Sequence, residues 1–268
     1  MVKSMKERLD KELVNRNLVP SRSKAQELIK SSLVKCDGKI INKSNYLVNS
    51  NTLIEIIDNN KLKYVSRGGL KLEKAINDFE IDVSGKNAMD IGSSTGGFCD
   101  CLLQNGINHI IAVDVGTNLL HESLRNNSKI ELYEKTNFKD LDSKFFKDID
   151  IITCDVSFIS LSKIIDKIYK EDIKVDMICL IKPQFECGKE TANKYKGIIL
   201  NKGIHIDIIN NMIDMFNKYK FYIKSISWSP IKGGDGNIEY ITYISNKNNK
   251  NSIFNINRLV NDAFNAYK

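Results

Sequence analysis

The pattern of apolar and polar positions predicts two different architectures along the chain. In the N-terminal part, KERLDKELVNR is amphipathic and predicts a helix, and Pro20 and Ser21 predict the start of a second helix in VPSRSKAQELIKSS. The stretch LVKCDGKII then predicts a strand interrupted by an Asp-Gly turn. A small α+β domain is therefore expected at the N-terminus.

From Asn87 onward, apolar runs alternate with helical stretches. The predicted strands are NAMDI, HIIAVDV, IELYEK, DIDIITCDV and DMICLIKP, and the helices between them include FCDCLLQN, NLLHESLRN and SLSKIIDKIYK. A long helix over 204–219 precedes two late strands, FYIKSISWS and NIEYITYI. This alternation predicts an α/β fold, a Rossmann-like doubly wound sheet. We place the domain boundary in KLKYVSRGG, which divides the chain into 1–62 and 63–268.

Charge and composition limit the classes of function and of binding partner that the chain can have. Residues 1–63 hold 13 Lys and Arg against 7 Asp and Glu, whereas the rest holds 27 against 26. The basic end is a candidate docking surface for a polyanion, although an AT-rich genome also enriches lysine. No run approaches the roughly 18 apolar residues of a membrane span, and no signal peptide is indicated, so we expect a cytoplasmic protein without integral membrane association. The six cysteines and three histidines show no metal or disulfide spacing.

The loop DIGSSTGG follows the first strand of the predicted sheet, where ligands of such folds bind. It lacks both the G-x-G-x-x-G fingerprint and the GK[ST] of a P-loop. S-adenosylmethionine fits better, because it has an amino-acid end, a cationic sulfur and a ribose but no phosphate. We expect the acidic residue to draw the ammonium group and the small residues to admit the carboxylate at a helix N-terminus. The candidate residues in this loop are Asp90, Gly92, Ser93, Thr95, Gly96, Gly97 and Phe98.

Three later residues extend the predicted cofactor site. Asp114 ends the second strand, where a carboxylate reaches a ribose diol, although a strand-terminal Asp also commonly serves as a turn or cap residue. Asn137 and Phe138 follow the third strand and are expected to flank the adenine.

Four charged residues stand at otherwise apolar or glycine-rich sites: Lys71, Asp155, Lys182 and Glu239. Asp155 and Lys182 end consecutive predicted strands, so both are expected in the ligand crevice. Because buried charges need partners, the four form either a reaction centre or two structural salt bridges.

The N-terminal pattern RLDxxL, SRxxAxxLI and VxxDGK resembles the S4 RNA-binding domain. The resemblance implies that Arg8, Arg22, Lys24 and Lys39 face phosphates, the alternative being a solvated helical face. Arg67 in YVSRGGLKL is a fifth candidate RNA-binding residue.

The motifs YVSRGGLKL, DIGSSTGGF, VDVG, DVSFISL, LIKPQFE and GNIEY, in this order, resemble the TlyA (haemolysin A) family of ribosomal RNA 2'-O-methyltransferases, whose catalytic domain is FtsJ-like. The resemblance covers nearly the whole chain. It implies methylation of a cytidine of 16S and/or 23S ribosomal RNA, with ribosomal RNA or subunits, and no DNA, as partners. The four charged residues match the K-D-K-E tetrad of that family.

This tetrad suits the expected reaction. A ribose hydroxyl becomes a good nucleophile when a base removes its proton, and a neutral lysine can be that base. We expect Lys182 in this role, because burial and the neighbouring cation Lys71 both favour its neutral form. Asp155 and Glu239 then orient the lysines, and Asp155 can also lie near the cationic sulfur. The scheme requires no metal.

Two other classes of function are weighed against this one. The older family name suggests a cytolysin, but no segment is predicted to cross a membrane, although a basic S4-like surface could adhere to anionic lipid. A non-catalytic RNA-binding or ribosome-assembly factor would keep the cofactor pocket as a scaffold, and such a factor has no need of two lysines in one crevice.

Overall fold

The computed structural model describes residues 6–19, 22–30, 32–57, 63–248 and 250–267, with backbone only at Ser23, Lys24, Glu27 and Lys30. The chain separates into two compact units, Met1–Arg67 and Gly68–Lys268. Among the described helices, none is both long and apolar enough to cross a membrane.

Apart from a two-residue strand at Glu7–Arg8, inside the segment predicted as the first helix, the first unit has the predicted order of helix, helix and strands. Its elements are β1 (Glu7–Arg8), α1 (Leu9–Asn15), α2 (Arg22–Lys30), β2 (Val34–Cys36), β3 (Lys39–Ile41), β4 (Leu47–Val48) and β5 (Ile54–Ile56). β2 pairs antiparallel with β3 across the Asp-Gly turn and with β5 on its other side, while β1 pairs with β4. The helices and β2 enclose an apolar core that includes Leu9, Leu13 and Ile29. Pro20 and Ser21, the predicted helix start, lie outside the described residues.

The second unit alternates helices and strands. Its elements are α3 (Gly68–Asp78), β6 (Asn87–Ile91), α4 (Gly97–Gln104), β7 (His109–Val113), α5 (Glu122–Arg125), β8 (Ile130–Tyr133), two 3₁₀ helices (Phe138–Asp140 and Ser143–Phe146), β9 (Ile151–Cys154), α6 (Leu161–Lys170), β10 (Asp176–Ile181), α7 (Pro183–Glu186), α8 (Lys189–Lys194), α9 (Lys202–Lys218), β11 (Tyr222–Trp228), β12 (Tyr240–Ser245) and α10 (Ile256–Ala266).

A seven-stranded sheet organises this unit, in the order β11-β12-β10-β9-β6-β7-β8. Strands β8, β7, β6, β9 and β10 are parallel, and β12 runs antiparallel to both β10 and β11. The strand order reverses between β6 and β9, so the crevice at their carboxyl ends is the expected ligand site of the fold. The predicted doubly wound α/β architecture is confirmed.

Several helices differ from the prediction. NLLHESLRN forms only the four residues of α5, because Asn118 adopts a left-handed φ of 56° and His121 caps the helix start. The periodicity also did not indicate α3, which begins at paired glycines, or α10, which is capped by Asn255, whose side chain accepts from the amide of Arg258. Paired glycines and a polar, asparagine-rich sequence both weaken the helical signal.

Candidate active site

The loop between β6 and α4 brings backbone close to two neighbouring segments. Gly92 has a φ of +81°, and a Cβ there would lie 3.2 Å from the carbonyl oxygen of Asp155. Gly96 has a φ of +91°, and a Cβ there would overlap the side chain of Leu124. A side chain at either glycine would be strained by the positive φ and would require its neighbour to shift. Ser93 is 4% exposed, and its Oγ has no hydrogen-bond partner among the residues that the structure describes.

Asp90 supports this loop from the interior. Its carboxylate accepts hydrogen bonds from the Thr153 hydroxyl at 2.7 Å and from the Cys99 thiol at 3.2 Å. Burial raises the pKa of Asp90 to about 6, against the opposing effect of these two bonds. The side chain is 1% exposed, so any influence on a ligand passes through the loop it supports.

Asp114 links the loops that follow β6 and β7. Its carboxylate accepts from the Ser94 amide at 2.8 Å and from the Gly116 amide at 2.7 Å. Thr95 lies in the same loop, where its carbonyl accepts from the amide of His121 at 3.2 Å. Asp114 thus forms the turn that was considered as its alternative role. It lies at the strand end where the cofactor ribose was expected.

The remaining predicted cofactor residues occupy different environments. Asn137 is exposed and caps a 3₁₀ helix by accepting from the Lys139 amide. Phe138 is 3% exposed and packs edge to face on Phe146, with ring centroids 5.7 Å apart. Phe98 in α4 is 5% exposed. The Phe138 ring is therefore part of the core. The structure does not bring it to the surface, where it was expected to flank the adenine.

The four charged residues form one continuous ion-paired cluster, here called the tetrad. Lys71 Nζ lies 2.7 Å from Glu239 Oε2 and 3.3 Å from Asp155 Oδ2. Lys182 Nζ lies 2.6 Å from Asp155 Oδ1. The order of contacts is Glu239, Lys71, Asp155, Lys182, so cations and anions alternate.

The sheet explains why these residues meet. Asp155 and Lys182 follow the adjacent parallel strands β9 and β10, which are in register at Cys154 and Cys179. Glu239 immediately precedes β12, whose Tyr240 pairs with the last residue of β10. Lys71 lies in the first turn of α3.

Burial and charge set the protonation of the cluster. Burial lowers the pKa of Lys71, but the carboxylates of Asp155 and Glu239 outweigh it and raise that pKa above the ordinary lysine value. Burial likewise opposes ionisation of Asp155, but the two lysines lower its pKa to about 2. At neutral pH, Lys71 is a cation and Asp155 an anion.

Lys182 has a different environment from Lys71. Its ammonium donates to the Ser157 hydroxyl at 3.0 Å and lies 5.8 Å from the centre of the Phe185 ring. One carboxylate contacts it, whereas two contact Lys71. Ser157 and Phe185 were not among the predicted site residues, and the signal that marks them is their place in DVSFISL and LIKPQFE.

The predicted RNA-binding arginines contact an acidic residue of their own unit. Asp10 is 0% exposed and accepts from Arg8 at 2.9 and 3.0 Å, from Arg22 at 2.9 Å and from Gln26 at 2.9 Å. These bonds, chiefly that of Arg8, hold the pKa of Asp10 well below its usual range despite burial. The arginine side chains remain 39% and 50% exposed, so solvent still reaches them.

The other predicted RNA-binding residues lie elsewhere in the first unit. Lys39 is exposed on β3, and Arg67 is half-buried at the end of the first unit. The side chain of Lys24 lies outside the described residues. No group of three or more His, Cys, Asp or Glu residues that could hold a metal ion occurs in the described ranges.

Comparison with known families defines the class of protein. Residues 64–246 match the model of the FtsJ-like methyltransferase, and residues 7–54 match the S4 domain. The chain belongs to the FtsJ-like methyltransferase family and carries an S4 domain, as the motifs predicted.

Individual relatives match over most of their length. Hemolysin A of Brachyspira hyodysenteriae is 40% identical over 239 residues, covering 88% of this chain and 98% of the relative. The 23S rRNA (cytidine-2'-O)-methyltransferase TlyA of Campylobacter jejuni is 38% identical over 246 residues, covering 86% of this chain and 96% of the relative. A solved structure from Streptococcus thermophilus is 34% identical, with a TM-score of 0.75, and the match covers 98% and 97% of the two chains. The predicted enzyme class, a methyltransferase, is confirmed.

Proposed function

We propose that this protein uses S-adenosylmethionine to methylate the 2'-hydroxyl of a cytidine in 16S and/or 23S ribosomal RNA. The observation that carries the proposal is the tetrad, in which two buried lysines alternate with two carboxylates beside the glycine loop. Relatives named as ribosomal RNA (cytidine-2'-O)-methyltransferases, from Campylobacter jejuni and Mycobacterium tuberculosis, support the substrate. The S4 domain supports binding to RNA.

The loop after β6 fits the cofactor. The buried Ser93 hydroxyl lacks a protein partner among the described residues, and α4 begins at the end of the same loop. A free hydroxyl beside a helix N-terminus suits a carboxylate. Asp114 stands at the end of β7, where we propose that it binds the ribose. S-adenosylmethionine would supply an electrophilic methyl group on a cationic sulfur. The Asp155 carbonyl packs against Gly92, so the tetrad adjoins this loop.

The unequal surroundings of the two lysines favour Lys182 as the base. Lys71 keeps its proton because two carboxylates contact it, and it stays a fixed cation. Lys182 contacts one carboxylate and the Ser157 hydroxyl. In its neutral form Lys182 accepts the ribose proton at Nζ, while Asp155 orients it and Glu239 balances Lys71.

RNA docking is assigned to the first unit. Lys39 and the exposed edges of Arg8 and Arg22 are proposed to contact phosphates, with Lys24 and Arg67 as further candidates. Such contacts add affinity with little sequence preference, so the choice of nucleotide comes from elsewhere.

The test of the function is mass-spectrometric mapping of ribose methylation in ribosomal RNA from cells with and without this gene. We expect a cytidine 2'-O-methyl group that is lost on deletion, restored by the wild-type gene, and produced by the purified protein with S-adenosylmethionine. Unchanged ribose methylation on deletion, together with no transfer in vitro, would overturn the proposal.

The cofactor assignment is tested at Asp114. Asp114→Ala should weaken S-adenosylmethionine binding by about 1.5 to 3 kcal/mol, measured by calorimetry, because it removes a charged hydrogen-bond acceptor. Asp142→Ala, which removes a carboxylate that caps a 3₁₀ helix, is the matched control and should bind normally. Preference of the wild type for NAD would contradict the assignment.

A further inference from the structure

Asn237 joins two backbone segments near the tetrad. Its side chain is fully buried, and its Oδ1 accepts from the Ile199 amide at 2.9 Å while its Nδ2 donates to the Gly197 carbonyl at 2.8 Å. Its own carbonyl accepts from the Gly233 amide at 2.9 Å, which closes the loop 233–237. Asn237 therefore fixes this loop to the segment 197–199.

The closed loop in turn packs against Glu239. A Cβ at Gly233 would overlap Glu239 Oε1, so the glycine backbone forms one wall for that carboxylate. The other carboxylate oxygen, Oε2, contacts Lys71 at 2.7 Å. Glu239 is 2% exposed and is thus held between the loop and the lysine.

We propose that Asn237 is a positioning residue for the methyl transfer. By fixing the loop 233–237 it sets the Glu239 carboxylate against Lys71, and Lys71 sets Asp155, which orients Lys182. This inference rests on the proposed function and adds a residue that does not itself touch the reacting atoms. Misplacement of a reacting group by about 1 Å is enough to slow a reaction roughly 100-fold.

The chain contains a matched control at the other end of the same strand pair. Asn246 follows β12, and its side chain accepts from the Val175 amide at 2.8 Å and donates to the Ile173 carbonyl at 2.6 Å. Asn237→Ala and Asn246→Ala thus delete the same two kinds of bond. Of the two asparagines, only Asn237 lies near Glu239 in the sequence.

The experiment measures kcat, KM and melting temperature for both full-length variants. We expect Asn237→Ala to lower kcat about 10- to 100-fold with KM for RNA and cofactor within about 2-fold of wild type. Asn246→Ala should lower the melting temperature but keep kcat within about 2-fold of wild type. Equal kcat losses in the two variants, or no kcat loss in Asn237→Ala, would overturn the inference.

Gly233→Ala tests the contact between the Gly233 backbone and the Glu239 carboxylate without deleting any hydrogen bond. Gly233 has no left-handed φ, so alanine fits its backbone, but the added methyl group displaces the Glu239 carboxylate. Gly203→Ala in the first turn of α9, where a Cβ would lie 3.2 Å from Asn201 Oδ1, is the control. We expect kcat to fall only in Gly233→Ala, and this pair of variants tests the positioning role if Asn237→Ala does not fold.

A wild type without ribose methylation refutes the proposed function, whereas an active wild type with unaffected variants refutes only the positioning role.

Discussion

Two carboxylates, one in each unit, bind pairs of cations of different chemistry. Asp10 in the first unit contacts two arginines, Arg8 and Arg22, whereas Asp155 in the second contacts two lysines, Lys71 and Lys182. A guanidinium stays protonated at any working pH, while a buried ammonium can lose its proton. The arginine cluster is therefore suited to holding a fold, and the lysine cluster to moving a proton.

The clusters also differ in how evenly their cations are shared. In the part of the first unit that the structure describes, the side chains of Arg8, Arg22 and Gln26 all donate to the same carboxylate, that of Asp10. In the tetrad, Lys71 is shared with Glu239 and Lys182 is not. This asymmetry gives the two lysines different charged neighbours, and the different roles proposed for them rest on that difference.

The largest expected effect on stability is at Lys71. Lys71→Met leaves the buried Glu239 and the partly exposed Asp155 without their shared cation, and it should lower the free energy of unfolding by about 3 to 5 kcal/mol, measured by urea denaturation. Arg22→Met should cost less, because its side chain is 50% exposed and Asp10 keeps its bonds to Arg8 and Gln26. Equal losses would remove the distinction between the clusters.

A smaller effect is expected at Asp10, and it depends on pH. The folded pKa of Asp10 lies below the unfolded value of about 3.9, so its ionised form stabilises the fold above that pH, and this contribution is lost as pH falls through the folded pKa. Asp10→Asn should cost about 2 kcal/mol at neutral pH. The difference from wild type should shrink below pH of about 4 in urea denaturation. A difference that stays constant with pH would contradict the ionised role.

The smallest effect is expected at the surface of the first unit. If Lys39 contacts a phosphate, Lys39→Ala should reduce the slope of log affinity for ribosomal RNA against log salt by about 1. Lys174→Ala, at an exposed lysine of the second unit that pairs with Asp172, should leave the slope unchanged. The same slope in both variants would show that the phosphate contacts lie elsewhere.

The sequence was sufficient to predict part of the candidate site. Asp155 and Lys182 each follow an apolar run, and consecutive parallel strands bring such positions to one edge of a sheet. The contact between Lys71 and Glu239 joins residues 168 positions apart. It depends on β12 lying between β10 and β11, and local periodicity does not determine strand order. The partners of Glu239 therefore required the structure.

Side-chain direction was the other limit. Asp90 lies near the end of β6 and Phe138 begins a 3₁₀ helix, and the sequence does not show which way either side chain points. Both are directed into the interior, Asp90 onto Thr153 and Phe138 onto Phe146. The pairing of Arg8 with Asp10, two residues later, was likewise not evident from an amphipathic pattern.

The most direct test of the account is the single-turnover rate of Lys182→Arg. The substitution keeps the positive charge but cannot accept a proton, so the rate of methyl transfer should fall by about 10² to 10⁴ while cofactor and RNA binding stay near wild type. Lys167→Arg is the control. Lys167 lies in α6 and pairs with Glu171, so this variant should keep the wild-type rate. A folded Lys182→Arg protein with a near-normal rate would contradict the assignment of Lys182 as the base and leave Lys71 as the next candidate.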